Sequence, residues 1–569
     1  MSLGVNAFGK CKYLKSVILP PNIYRIEMNC FANDYNLTSI DLPDSLVFIE
    51  CHAFEQSGLE IINISPNSKL EALDYSCFEG TKLSSIFIPK FVRPFETRVF
   101  DDCIFLENIT VDPENKNYKS DSKSVYRGTD NSTLFKVVSR YLGEYIVAKH
   151  VTKISYNCFS YCVNISSIQL HNELTSIEEY GISKCTSLKS IIIKGNISKL
   201  NNGIFAHCSS LPNIIIPEII TDIGKYAFYN CTSLTNITIP KSVTKIDSNT
   251  FSYCISLTNF TIPETITDVG EYAFKNCTLL TNITIPKSVS KIDSETFSYC
   301  ISLTNFTIPE TIIEIGSDAF SSCTSLVNIV FHEKLTRIGP YAFGGCTSLT
   351  NVSIPESINH ITDGLFHHCN SLTSFIIPNN VKHIGRGAFA NCRSLTTISI
   401  PENVTYIGDY VFGNCIPLAS IIIPGSISNI EFYAFKNCTN LKSIYFRNIS
   451  NFIRFDRGVF SDIPNPMNIY IPGNFNLIDL FERNIFPNRS HLFVTSQTRL
   501  SQLCKILFGE KSVYVHMQEM THIQDNITNK VIEFIAIDII YQKTKHKCVY
   551  DKTHSLFLSN TFACLNRGK

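Results

Sequence analysis

Apolar and polar residues alternate in short runs that return every 23 positions. The clearest run is Leu234-Thr235-Asn236-Ile237-Thr238-Ile239-Pro240. Its end has period two, the mark of a strand with one covered face. Pro240 closes it, because proline donates no hydrogen bond to a ladder. Val243 and Ile246 follow at wider spacing, and Phe251 opens the next block. Each block therefore predicts a short strand, a proline stop and a return path. Glycine in Ile223-Gly224 and Ile384-Gly385 is expected to ease the return. A single block is too small to bury its own apolar side. Blocks stacked in parallel, with strands about 4.8 Å apart, bury it against each other.

The phase is kept over a long stretch. Cysteines run from Cys162 to Cys438 at a constant step of 23, through Cys231, Cys254, Cys277 and Cys300. Phe228, Phe251, Phe274 and Phe297 sit three residues before those four cysteines, and Leu234, Leu257, Leu280 and Leu303 three after. These Phe, Cys and Leu columns are the expected structural core. Residues 231–276 and 277–322 are nearly the same two-block unit, as Leu234-Thr-Asn-Ile-Thr-Ile-Pro240 and Leu280-Thr-Asn-Ile-Thr-Ile-Pro286 show. A local duplication explains that, and a one-dimensional scaffold tolerates it because an added unit touches only its neighbours. A period of 23 falls within the leucine-rich-repeat range of about 20–29.

The unit Cys-x-x-Leu-x-x-Ile-x-Ile-Pro-x-x-Val-x-x-Ile-x-x-x-x-Phe resembles the BspA-like leucine-rich-repeat family over most of residues 1–450. Asn108 to Tyr118, continued by Ser124-Val125-Tyr126 and Thr133-Leu134-Phe135, resembles that family's hairpin insert. The resemblance implies surface proteins of bacteria and anaerobic protists that act in adhesion and partner binding. The expected fold is an α/β repeat solenoid, a leucine-rich-repeat array with a parallel β-sheet on its concave face. It carries one β-hairpin insert and a small C-terminal α+β segment.

Four regions are expected: N-terminal repeats over 1–103, a hairpin insert over 104–150, regular repeats over 151–475 and a non-repeat segment over 476–569. The first repeats are looser. Their anchors Phe8, Phe31, Phe54, Phe78 and Phe100 keep the 23-residue step only twice, and Ser57 and Thr81 stand where cysteine is expected. Met1 falls inside a repeat and no signal peptide opens the chain. The expectation is a truncated start or a partner that caps the first repeat. In the last region a helix is expected near residues 501–508, with strands near 512–516 and 531–541.

Composition narrows the function. The 49 basic and 49 acidic side chains cancel, so nothing marks the chain for nucleic acid. No apolar run reaches the roughly 18 residues of a membrane span. Phosphate loops, His-Glu-x-x-His and Gly-x-Ser-x-Gly are all missing, so no enzyme and no cofactor is expected. The Cys column reads as one small buried apolar residue per turn, because stacked parallel cysteines have poor disulfide geometry. His367 and His368, with His360 nearby, are adjacent turn residues expected to point apart and not to hold a metal. His546, Cys548, His554 and Cys564 lack a recognised zinc spacing.

The better functional candidate is the expected concave face. Residues between the buried strand positions form two columns: Asn236, Asn259, Asn282, Asn305, Asn328 and Asn351, and Thr238, Thr261, Thr284 and Thr307. The second column turns apolar at Ile192, Ile215, Ile376, Ile422 and Tyr445. A hydrogen-bonding centre flanked by apolar residues fits a protein or glycan partner. The alternative is that the Asn and Thr ladders satisfy only each other. Function divides the same way. The family resemblance implies adhesion at a cell surface. The free cysteines and missing signal peptide point to a cytoplasmic scaffold in a cytoskeletal or other large assembly.

Overall fold

The computed structural model describes residues 1–128, 130–447, 453–471 and 486–487, and the backbone of three late strands, His491–Thr495, Met517–Gln524 and Val531–Asp538. The chain divides into two compact units, Met1–Thr347 and Ser348–Lys569. The helix expected near 501–508, the strand near 512–516 and the four late His and Cys residues lie outside the described residues.

In the first unit the 23-residue block is one coil of a β-solenoid. The strand Asn236–Thr238 pairs in parallel with Asn213–Ile215, in the register Asn213↔Asn236, Ile214↔Ile237 and Ile215↔Thr238. After Pro240 the chain turns, and a second short strand, Lys245–Ile246, pairs in parallel with Asp268–Val269. Sequence reading did not foresee this second ladder, since two residues are too few to show a period. A third set of bonds joins successive turn arms: Phe228 N donates to Thr250 O at 2.9 Å and Asn230 N to Ser252 O at 2.8 Å. Successive coils are thus tied by the turn-arm bonds and by one or both of the short ladders, which bonds the backbone from coil to coil without helix. Among the described residues the helical content is one 3₁₀ turn, Thr97–Phe100.

The interior holds the aligned columns. Phe228, Phe251, Phe274 and Phe297 are fully buried and stacked face to face, with centroids 5.5, 5.5 and 5.6 Å apart in turn. The Cys and Leu columns are equally buried. Gly224 is not in a left-handed conformation. It is small because a Cβ there would lie 2.8 Å from Asn202 N of the preceding coil. Gly385 meets Asp363 N the same way. Close approach of coils, and not turning of the chain, therefore requires these glycines. The turn is made by residues with φ near +60° on either side of Phe, such as Tyr226 and Asn230 around Phe228.

The same unit contains an antiparallel meander of Tyr118–Ser120, Ser124–Arg127 and Thr133–Val137. Thr133–Val137 then pairs in parallel with Lys153–Ile154 and rejoins the coils. Lys136 on that strand is fully buried, and its ammonium donates to Asn157 O at 3.3 Å and Ser160 O at 3.2 Å. These carbonyls face the point where regular stacking is interrupted, and the lysine supplies donors there.

The second unit repeats the coil. A five-stranded parallel ladder joins His360–Ile361, His383–Ile384, Tyr406–Ile407, Asn429–Ile430 and Arg454–Phe455. On the strand side Ser420–Ile423, Ser443–Phe446, Asn468–Ile471 and His491–Thr495 run in parallel. Val531–Asp538 then pairs antiparallel with both His491–Thr495 and Met517–Gln524.

Candidate interaction surface

The strands place the Asn and Thr columns outward. In Asn236–Thr238, Asn259–Thr261, Asn282–Thr284 and Asn305–Thr307 the outer residues are exposed and the central one is buried. Asn328 shares this pattern in the first unit, and Asn351 is exposed in the second. Parallel in-register pairing sets Asn259 beside Asn282, Thr261 beside Thr284 and Asn305 beside Asn328. Ile192 and Val330 are exposed in the same column, and Ile215 is 84% exposed. In the second unit Ile376 is 78% exposed. Ile422 and Tyr445 differ from expectation: both are half-buried, and the Tyr445 ring stacks on Tyr470 at 4.5 Å.

The hydrogen bonding separates this face from the rest of the coil. Elsewhere, surface polar side chains are tied to the preceding coil: Thr235 Oγ1 donates to Pro212 O at 3.1 Å and Thr267 Oγ1 to Thr244 O at 3.2 Å. In the second unit Asn437 donates to Asn414 Oδ1 at 2.8 Å, and Asn414 to Asn391 Oδ1 at 2.9 Å. On the strand face from Asn236 to Thr307 no side-chain bond joins successive members of either column among the described residues. The sole side-chain bond of these columns is a long one, 3.5 Å, from Asn305 to Thr304 Oγ1 next to it. The ladders do not satisfy each other, and their donors and acceptors face outward.

The cysteines have a role beyond filling space. Cys254 Sγ donates to Phe228 O of the preceding coil at 3.2 Å, and Cys277, Cys300 and Cys323 do the same to Phe251, Phe274 and Phe297. Each such carbonyl also accepts the N–H of its own coil's Cys, as Cys231 N does at 3.2 Å. Burial pushes the Cys254 and Cys300 thiols up to about 12, so they stay protonated as this donation requires. The His367 and His368 rings meet edge to face at 4.3 Å and do not point apart. His360 is turned to His383 instead, with centroids at 5.9 Å. Among the described residues no three His, Cys, Asp or Glu side chains are grouped to hold a metal ion.

Sequence reasoning missed the tyrosines of the turn arm. Tyr226, Tyr253, Tyr272 and Tyr299 all have φ between 59° and 63°. Their mark in the sequence is only their phase relative to Phe and Cys.

Stacked parallel coils with a buried Phe-Cys-Leu interior define a repeat solenoid, a class whose surfaces bind and whose interior is structural. The chain belongs to the BspA-type leucine-rich-repeat family: the family model, a region of six copies, matches residues 1–124, 133–258, 244–373 and 359–492. That family is a repeat region and not a catalytic one. Among solved structures the chain is similar to a leucine-rich-repeat protein from Bacteroides ovatus, at 23% identity and a TM-score of 0.49, over 66% of this chain and 97% of that one. A leucine-rich cell surface protein from Faecalibacterium prausnitzii matches at 24% identity and a TM-score of 0.40, over 58% and 95%. The pneumococcal vaccine antigen PcpA matches at 17% identity and a TM-score of 0.46, over 67% and 98%. No curated protein matches the chain.

Proposed function

We propose that this chain is a non-enzymatic binding solenoid that recognises a protein or glycan partner at a cell surface through its strand face. The observation that carries this reading is the unsatisfied polarity of the Asn236–Asn305 and Thr238–Thr307 columns. An exposed row of amides and hydroxyls, left unbonded while other surface threonines are bonded, is available to a ligand. Exposed Ile192, Ile215 and Val330 at its flanks add apolar area to the same face. No helix among the described residues is long and apolar enough to cross a membrane.

A second reading is an intracellular scaffold. The observation in its favour is the thiol column, whose buried S–H groups act as donors and so work in the reduced form. Antibody labelling of intact and permeabilised cells separates the two. Labelling of intact cells is the expected result. Labelling only after permeabilisation would replace adhesion with the scaffold.

A further inference from the structure

On the first coils the strand face is built differently from the central columns. One outward row runs through four successive coils as Asp41, Asn63, Phe87 and Thr110, with Asp41 in register beside Asn63 and Phe87 beside Thr110. Asp41, Asn63 and Thr110 are exposed, and Phe87 is half-buried. The central columns repeat one amide and one hydroxyl. This row sets a carboxylate, an amide, a phenyl ring and a hydroxyl side by side. The four line an open hollow of about 460 Å³, together with Ser65 and Asn108. That volume falls in the roughly 300–1,000 Å³ range of small-molecule sites.

The lining narrows the chemistry of what fits. Asn63 Nδ2 donates to Asp41 Oδ1 at 2.6 Å, which holds amide and carboxylate together. Neither side chain makes another bond among the described residues, so their remaining acceptors and the second amide hydrogen face a ligand. Asn108 Oδ1 is buried without a partner. That is a costly state, and a half-turn of the amide toward a ligand hydroxyl relieves it. Phe87 supplies an apolar platform whose negative face receives C–H groups. No Lys, Arg or His is among the described residues that line the hollow, and Asp41 is the one acid among them. An anion would meet Asp41 with no cation to offset it. A Lys or Arg head would find a single carboxylate, already holding an amide. A neutral ring with neighbouring hydroxyls, each a donor and an acceptor, and with an apolar C–H face matches the whole set.

We propose that this hollow binds a neutral sugar ring of a glycan. Its adjacent hydroxyls bond the Asp41–Asn63 pair and Thr110, and its C–H face rests on Phe87. The assignment does not depend on the Asn236–Asn305 and Thr238–Thr307 columns, which lie on other coils.

The test applies the full chain to a printed array of glycans ending in glucose, galactose, mannose or N-acetylglucosamine. Sialylated forms of the same glycans and an oligo-arginine peptide are printed beside them. Retention on at least one neutral glycan is expected, and calorimetry then reads the affinity for that glycan. Asp41→Asn keeps a partner for Asn63 but removes the charge, and should weaken binding about tenfold. Phe87→Leu keeps an apolar side chain without the ring, and should weaken it about three- to tenfold. Both variants should melt with the parent. If Phe87→Leu melts lower, the exposed Asp41→Asn decides alone. The pair Thr261→Val, Thr284→Val on the central columns should bind the sugar like the parent. Retention of no neutral glycan, retention only of sialylated glycans or oligo-arginine, or unchanged affinity in a variant of the hollow that melts with the parent would each overturn the proposal. Loss of binding in the central pair would also overturn it, by moving the sugar to the central columns.

Discussion

Two stretches of the first unit use the same coil with different chemistry at one position. Between Phe228 and Cys323 the residue three after Phe is always cysteine, and its S–H donates to a carbonyl of the coil before. Between Phe31 and Phe78 that residue is Asp34, Ser57 or Thr81. Thr81 bonds its own coil's Phe78 O at 2.9 Å, and Ser57 Oγ is buried with no partner. Asp34 is fully buried, accepts from Cys11 N at 2.7 Å and leaves Oδ2 unpartnered. The Phe stack runs through both stretches, with Phe31–Phe54 centroids at 5.2 Å. The ring column therefore defines the coil, and the Cys position tunes how firmly one coil holds the next.

The largest expected effect breaks what the two stretches share. Phe274→Ala removes a ring stacked on both sides and should cost about 3–5 kcal/mol in urea unfolding. An unchanged midpoint would sink the packing register. The next effect concerns Asp34, whose carboxyl burial pushes up to about 6. The folded state holds that proton more tightly than the unfolded chain. Its contribution is thus intact below about pH 4 and lost as pH rises through 6. Asp34→Cys, which imports the regular residue, should stabilise the protein by about 3 kcal/mol at pH 7 and by almost nothing at pH 3.5. A gain that is the same at both pH values would show that charge burial is not the cause. The smallest effect isolates the thiol. Cys254→Ala should cost about 1–2 kcal/mol, since Phe228 O keeps Cys231 N–H as a donor and only a small void remains. No measurable change would leave the S–H bond without a stabilising role.

Much of the coil was legible because its core positions are periodic and apolar. Phe251, Cys254, Leu257 and Ile262 announce themselves by phase alone, and the strand-face columns follow from alternation around Ile237. What escaped the sequence is set by approach and by backbone conformation. Gly224 reads as a turn residue until Asn202 N of the next coil back is seen beside it. Lys136 reads as solvent-exposed, because its burial depends on carbonyls some 21 and 24 residues later in the chain. Tyr253 reads as an ordinary polar aromatic, because no composition rule places tyrosine at positive φ. Ile422 and Tyr445 alternate correctly for exposure, yet Tyr470 covers one of them from a coil further on.

The sealed thiols make the solenoid its own recorder of motion. No reagent reaches Cys254 or Cys300 while the coils are closed, so alkylation can proceed only through openings. Because each coil leans on just two neighbours, those openings need not be global. A time course of thiol labelling, resolved peptide by peptide, would read out the breathing frequency of one coil after another along the array, with natural cysteines spaced 23 residues apart as the ticks.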